Sequence, residues 1–243
     1  MYHITLKYFL LISLFCVCGC VTLKTPAEYQ YKEIKTSAFT LASWVKQTDT
    51  KSPFRIYIEG DGRAYTKSGY PSANPTPHGM LMRKMAFEDN SPNVAYLARP
   101  CQFVKDDTCT PKDWTTERFS PRAVKSMAQA VNHITGGKTA QLYGYSGGAL
   151  IGGLLIANYP QIKVTKWVTY AGLLNHTSWT KYHKLAPLTG SIDLEKLPDV
   201  PQTHYAGGKD KIIPPKLSIL WTDNKNLVIL PKSKHSGPFP KEK

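Results

Sequence analysis

The sequence predicts a single α/β domain, with a mainly parallel twisted sheet and helices on both faces. Short apolar runs alternate with helix-like segments along most of the 243 residues. Prolines and glycines stand at the ends of these segments, where they start helices or stop them. Strands that alternate with helices are joined by right-handed crossovers, which align the strands in parallel. The 42% hydrophobic content is enough to fill one core, and nothing indicates a second domain.

The strands can be predicted in chain order from their apolar runs. Residues 31–46 are β-rich and predict one or two antiparallel strands at the edge of the sheet. Residues 54–59 predict the next strand, and the apolar run in 93–100 predicts one that is buried on both faces. The remaining strands are predicted at 142–145, 164–174, 203–208 and 226–231.

Helix signals fill the intervals between these strands. Thr76-Pro77 predicts a helix start, with Leu81, Met82, Met85 and Ala86 on one face. Ser120-Pro121 predicts a longer helix that ends at Gly136-Gly137. Two further helices are predicted after Ser146 and at 215–222.

The chain begins with a segment typical of an export signal. Lys7 lies in a short positive region, residues 8–17 are apolar, and small residues close the stretch. Such a segment is too short to span a membrane stably. Residues 1–19 are therefore predicted to be a signal peptide.

Val17-Cys18-Gly19-Cys20 also resembles a bacterial lipobox. That resemblance implies cleavage before Cys20, a lipid on Cys20, a tether over 20–31 and a folded domain over 32–243. Val21 in place of an acidic residue favours the periplasmic side of the outer membrane. An ordinary cleaved signal peptide is the alternative.

The net charge of +14 narrows the choice of partners. The basic residues are scattered, and no recognition helix or RNA-binding signature is present, so nucleic acid is not an expected partner. Two interpretations stay open: attraction to anionic lipids or polymers of the envelope, and a basic surface with no partner.

Cys101 and Cys109 enclose seven polar-rich residues. In an exported protein, an isolated pair at this spacing predicts a disulfide. A metal site is the alternative, but no histidine or further cysteine lies nearby in the sequence. We expect neither a metal nor a cofactor.

Residues 142–153 are an apolar run that is interrupted by a serine between glycines, a pattern of strand, sharp turn and helix. Gly144-Tyr145-Ser146-Gly147-Gly148 resembles the Gly-x-Ser-x-Gly nucleophile elbow of the α/β-hydrolase superfamily. The resemblance implies the α/β-hydrolase fold, with Ser146 as the nucleophile. Throughout, the elbow means residues 144–148.

In that superfamily the nucleophile is followed along the chain by an acid and then by a histidine. Asp210 lies in a Gly-rich turn after a predicted strand, and His235 follows the last strand. His235 is also the one histidine that comes after Asp210. The resemblance therefore implies a triad of Ser146, Asp210 and His235.

Two backbone N–H groups should stabilise the oxyanion. By the resemblance, one belongs to Gly147 and the other to Asp61, with Gly62 as the second choice for the latter. Residues 59–62 replace the family's His-Gly-x-x and carry two carboxylates. These carboxylates must turn away from the oxyanion or pair with Arg63 or Arg99.

The predicted activity is that of a serine hydrolase, in first place a carboxylesterase for a small or lipid-like ester. Segments 101–119 and 174–189 should flank the pocket, and neither forms a long apolar lid. Trp114, Trp179 and Tyr182 are candidates for substrate contact or for packing on the sheet. A peptidase, an acyltransferase and an inert basic lipoprotein are the alternatives.

Overall fold

The computed structural model describes residues 23–242. The predicted signal peptide at 1–19 and the predicted lipid site at Cys20 lie outside these residues. Strand β1 begins at Gln30, and Tyr29 is already buried, so the folded part starts slightly before the predicted boundary at residue 32. No helix within 23–242 is long and apolar enough to cross a membrane.

The described chain forms one eight-stranded sheet in the order β1-β2-β4-β3-β5-β6-β7-β8. The strands are β1 Gln30–Lys35, β2 Thr40–Gln47, β3 Phe54–Ile58, β4 Asn93–Leu97, β5 Ala140–Tyr145, β6 Val164–Tyr170, β7 Gln202–Gly207 and β8 Leu227–Leu230. Strands β1 and β2 are antiparallel to their neighbours, and the pairs from β4 through β8 are parallel. The predicted mainly parallel sheet with an antiparallel edge is confirmed.

The helices are α1 Leu81–Phe87, α2 Pro111–Trp114, α3 Pro121–Thr135, α4 Gly147–Asn158, α5 His176–His183 and α6 Pro215–Ile219. Helix α3 has the predicted ends. The Ser120 hydroxyl accepts the N–H of Ala123, and Gly136 ends the helix with a left-handed backbone at φ 58°.

The predicted start of the first helix at Thr76-Pro77 is wrong, because α1 begins at Leu81. The polar groups of Thr76 are engaged outside any helix: its N–H donates to Asn74 Oδ1, and its hydroxyl accepts the Phe103 N–H. The Arg63 N–H bonds the Pro75 carbonyl, which ties this segment into a long loop over 62–80. The bond between Thr76 and Phe103 joins residues 27 positions apart, and a contact of this kind leaves no local pattern in the sequence.

Strand β6 ends at Tyr170, earlier than the predicted end at residue 174. The chain turns at Ala171, whose φ is 44°, and the Leu173 N–H donates to the Ser146 carbonyl. The helices α2 and α5 were not predicted. Helix α5 depends partly on Asp193, which accepts the N–H groups of His176 and Thr177 from a distant loop.

Apolar side chains pack on both faces of the sheet. Helices α3 and α4 cover one face, where residues such as Met127, Leu150 and Trp167 form the larger core. The other face carries Tyr57, Tyr143 and Tyr170 beneath α1 and the C-terminal segment. This arrangement leaves the carboxyl ends of the parallel strands open, which is where α/β folds bind ligands.

Candidate active site

The elbow joins β5 to α4 at the carboxyl edge of the sheet. Ser146 has a φ of 50°, an uncommon value for a residue with a side chain. A Cβ at Gly144 would lie 2.6 Å from the Ala149 Cα, and one at Gly148 would lie 2.5 Å from the Glu59 carbonyl oxygen. The predicted strand, turn and helix are confirmed, and close backbone packing explains both glycines.

The structure brings together the three side chains predicted as a triad. The Ser146 Oγ lies 3.2 Å from His235 Nε2, and His235 Nδ1 lies 2.8 Å from Asp210 Oδ2. Asp210 is acceptor-only when ionised, so Nδ1 carries the proton and Nε2 is free to accept the serine O–H. A hydroxyl, a base and a carboxylate that orients the base are therefore aligned.

Asp210 is held rigidly by its own turn after β7. Its side chain is buried, and its Oδ1 accepts the N–H groups of Ile212 at 2.8 Å and Ile213 at 2.9 Å. The His235 loop packs against this turn, because the Lys209 N–H donates to the Ser233 carbonyl. The two loops therefore fix the distance between the carboxylate and the imidazole.

The loop after β3 lies directly against the elbow. A Cβ at Gly147 would lie 2.0 Å from Asp61 Oδ1, and a Cβ at Gly60 would lie 3.2 Å from the Ser146 Cβ. Within residues 23–242, the backbone N–H groups of Asp61, Gly62 and Gly147 have no hydrogen-bond acceptor. The two segments that were predicted to supply the oxyanion donors thus meet beside Ser146. Their N–H groups are free to donate to an oxyanion.

Two arginines contact the carboxylate of Asp61. Its carboxylate lies 3.3 Å from Arg99 Nη1 and 3.1 Å from Arg118 Nε, and both arginine side chains are buried. Burial lowers the pKa of Arg99 to about 10, which still leaves it charged at neutral pH. Pairing with Arg99 is confirmed, whereas the alternative partner Arg63 contacts His78 instead. Sequence reasoning missed Arg118, which no motif marks.

The second carboxylate of this loop, Glu59, is turned toward the sheet. It accepts the Gly60 N–H and the Tyr96 hydroxyl, both at 2.9 Å. Burial raises the pKa of Glu59, which favours its neutral form more than in an ordinary glutamate. Of the two carboxylates in residues 59–62, that of Asp61 therefore pairs with arginines. That of Glu59 accepts hydrogen bonds directed toward the sheet.

A cleft of about 770 Å³ opens over Ser146 and His235. Of the predicted lining residues, Trp179 lies in its wall. Trp114 is instead buried and donates its N–H to the Ser72 carbonyl, while Tyr182 is partly exposed beneath Lys216. Sequence reasoning missed the opposite wall, which is formed by the loop over 62–80 and the start of α1.

Cys101 and Cys109 form the predicted disulfide. The loop that it closes contains Gln102, whose Nε2 donates to the Gly60 carbonyl at 2.9 Å. Gln102 Oε1 in turn accepts the N–H of Arg99. The disulfide loop therefore braces the backbone beside the elbow.

Within residues 23–242, no group of three or more His, Cys, Asp or Glu could hold a metal ion.

Comparison with known proteins supports the fold through structure alone. No protein-family model and no curated sequence matches the chain. XC6422 from Xanthomonas campestris, a serine hydrolase without a lid, is 16% identical over 87% of each chain, with a TM-score of 0.51. Est1E from Butyrivibrio proteoclasticus is 14% identical, over 86% of this chain and 91% of that chain, with a TM-score of 0.57.

A serine hydrolase homologue from Coxiella burnetii is 15% identical, over 85% of this chain and 88% of that chain, with a TM-score of 0.51. These similarities extend over nearly the whole described chain, and they agree with the strand order and the elbow described above. The chain therefore has the fold of the α/β-hydrolase superfamily.

Proposed function

We propose that this protein is a serine hydrolase that cleaves carboxylic esters through an acyl-enzyme on Ser146. The observation that carries the proposal is the hydrogen-bond chain from Ser146 through His235 to Asp210, open to the cleft. The similar structures from Xanthomonas campestris and Coxiella burnetii are a serine hydrolase and a serine hydrolase homologue, which supports the same reaction class.

In the first half of the reaction, the Ser146 oxygen attacks the ester carbonyl carbon while His235 Nε2 accepts the serine proton. Asp210 stabilises the imidazolium that forms. The negative oxygen of the tetrahedral intermediate is bound by the N–H groups of Gly147 and Asp61, with Gly62 as the alternative second donor. His235 then protonates the departing alcohol, and the acyl group stays on Ser146.

In the second half, water attacks the acyl-enzyme. His235 Nε2 accepts a proton from the water, and a second tetrahedral intermediate forms with its oxygen at the same N–H groups. The intermediate collapses, His235 returns the proton to the Ser146 oxygen, and the carboxylic acid leaves. The proton transfers use Ser146, His235 and Asp210, which already lie within hydrogen-bond distance of one another.

The walls of the cleft favour small or partly soluble esters. They are built from loops and from the ends of short helices, including α1 and α5. Within 23–242, no long apolar helix covers the cleft as a lid that would open at a lipid droplet. We therefore place short acyl esters first among the candidate substrates.

The hydrolysis test uses 4-nitrophenyl acetate and butyrate with the purified chain from residue 21 onward. Ser146→Ala should lower kcat at least about 10⁴-fold, and His235→Ala should do the same, because the three groups act as a unit. The matched controls are Ser37→Ala and His133→Ala, which change exposed residues that do not line the cleft. A folded wild type without activity above the buffer rate would overturn the proposal.

The attachment to the envelope is a separate proposal. We propose that Cys20 carries the lipid that holds the domain at the outer membrane, as its lipobox-like context implies. In the native host or a Gram-negative expression host, Cys20→Ser should move the full-length chain from the membrane fraction to the periplasmic fraction. Retention of that variant in the membrane fraction would refute this assignment.

A further inference from the structure

The Arg118 side chain has two terminal nitrogens that take no part in its ion pair with Asp61. Its side chain is only 5% exposed, yet it lines the same cleft as Ser146. Its Nε lies 3.1 Å from Asp61 Oδ2. Its terminal nitrogens, Nη1 and Nη2, have no hydrogen-bond partner within 23–242 and are not among the fully enclosed polar atoms. Because Arg118 lines the cleft, we take these terminal nitrogens as the part of the guanidinium that a bound ligand can reach.

The charges around Arg118 leave a positive excess. One carboxylate, that of Asp61, lies between two buried guanidiniums, those of Arg99 and Arg118. Arg99 is also engaged with the backbone, because its Nη2 donates to the Arg118 carbonyl. Glu59 also lines the cleft, but its carboxylate is directed to the Gly60 N–H and the Tyr96 hydroxyl. A buried positive charge without a full partner is costly, and an anionic ligand would offset that cost.

The guanidinium also packs near two aromatic rings. Its Cζ lies 5.7 Å from the ring centre of Trp179 and 5.7 Å from that of Phe119. Trp179 is anchored in turn, because its indole N–H donates to the Ile212 carbonyl at 2.8 Å. A guanidinium is planar and presents its two terminal nitrogens together, which suits an oxyanion bound through two oxygens, and neighbouring aromatic rings limit its movement.

We propose that Arg118 binds an anionic group of the substrate, so that the preferred substrate is an ester that also bears a carboxylate or phosphate. The proposal rests on the serine-hydrolase function proposed above and names its substrate class. Charge balance of Asp61 alone does not account for Arg118, since Arg99 already pairs with that carboxylate. Arg118 then serves as the residue that selects the substrate, while Ser146 and His235 perform the chemistry.

The test compares two series of esters with one preparation of the protein. One series is the 4-nitrophenyl monoesters of adipic to suberic acid, which carry a free carboxylate, and the other is their neutral ω-methyl esters. The wild type should favour the carboxylate ester at least about tenfold in kcat/KM, as expected for a charge-assisted pair. Because the ratio is taken within one preparation, a loss of folded protein does not affect it.

Three variants separate recognition from general damage. Arg118→Met should reduce the carboxylate preference to near unity, and Arg118→Lys should keep part of it, because charge remains but the two-pronged geometry is lost. Lys125→Met removes one exposed positive charge on α3, far from the cleft, and should leave the preference unchanged. An ester bearing a terminal phosphate identifies the anion: a higher kcat/KM than the carboxylate ester supports the site and assigns it to phosphate.

Two results would overturn the proposal while leaving the hydrolase function intact. One is a wild type that cleaves the neutral esters as well as the charged ones. The other is a preference that survives in Arg118→Met. A protein that cleaves no ester and does not react at Ser146 with a fluorophosphonate would instead overturn the hydrolase function itself, and this proposal with it.

Discussion

Replacing Asp61 by Asn should cost the protein about 3 kcal/mol of unfolding free energy. The carboxylate lies 3.3 Å from Arg99 and 3.1 Å from Arg118, whose side chains are 4% and 5% exposed. Asn keeps the shape of the side chain but removes the charge, which leaves two buried guanidiniums without a counter-ion. Breaking a buried pair by removing one partner costs about 3–5 kcal/mol, and we take the lower end because Asp61 itself is 21% exposed.

Urea unfolding followed by tryptophan fluorescence measures this loss. With a slope of about 3 kcal/mol/M for a domain of this size, the midpoint should fall by about 1 M. The double variant Asp61→Asn/Arg118→Met should be at least about 1 kcal/mol more stable than the sum of the single changes predicts, because it removes one of the two unpaired charges. Asp107→Asn is the matched control, since Asp107 is exposed, and it should change stability by less than about 0.5 kcal/mol.

The reasoning is refuted if Asp61→Asn is as stable as the Asp107→Asn control and the double variant shows no coupling. That outcome would mean that the Asp61 carboxylate does not stabilise the two buried arginines. The argument that Arg118 carries a partly uncompensated charge would then fail.

Three further predictions concern the site and its support. Asp210→Asn should lower kcat about 10⁴-fold in the ester assay, because the amide favours the wrong tautomer of His235; equal activity would contradict the mechanism. Burial lowers the pKa of His204 to about 4, below its ordinary 6.5, so the unfolded chain binds the extra proton. The free energy of unfolding should therefore keep the full contribution of neutral His204 above pH 6.5 and fall by about 3 kcal/mol by pH 4. Denaturation curves at these pH values should not show this loss for His204→Gln. Gly148→Ala should lower the free energy of unfolding by about 1–3 kcal/mol in urea, because its Cβ would lie 2.5 Å from main-chain oxygens at the end of β3. Gly79→Ala places its Cβ in open space and should not lower it. Equal losses in the two variants would refute the packing argument.

The sequence was sufficient for features that depend on short-range patterns. The strand positions follow from apolar runs, and the ends of α3 follow from Ser120-Pro121 and Gly136. Gly144 and Gly148 of the elbow occur where backbones approach closely, so the same pattern that marks the site also reflects its packing. Chain order selected Asp210 and His235, and the structure brings both to Ser146.

What could not be predicted depends on contacts between distant segments. The loop over 62–80 has a helix-start signal at Thr76, but the Thr76 hydroxyl accepts the N–H of the distant Phe103, and the segment takes another conformation. Arg63 is the arginine nearest to Asp61 in sequence, yet Arg118 is the one that the folded chain brings to it. Charge balance at a buried site is a property of the assembled fold, which local patterns do not encode.

Reaction with a fluorophosphonate, followed by peptide mass spectrometry, tests the central claim most directly. The reagent forms a stable phosphonyl ester only with a serine that a neighbouring base activates. We expect one adduct, on the peptide that contains Ser146, with no labelling of Ser146→Ala and much slower labelling of His235→Ala. A folded wild-type protein that stays unlabelled, or an adduct on another serine, would contradict the assignment of Ser146 as the nucleophile.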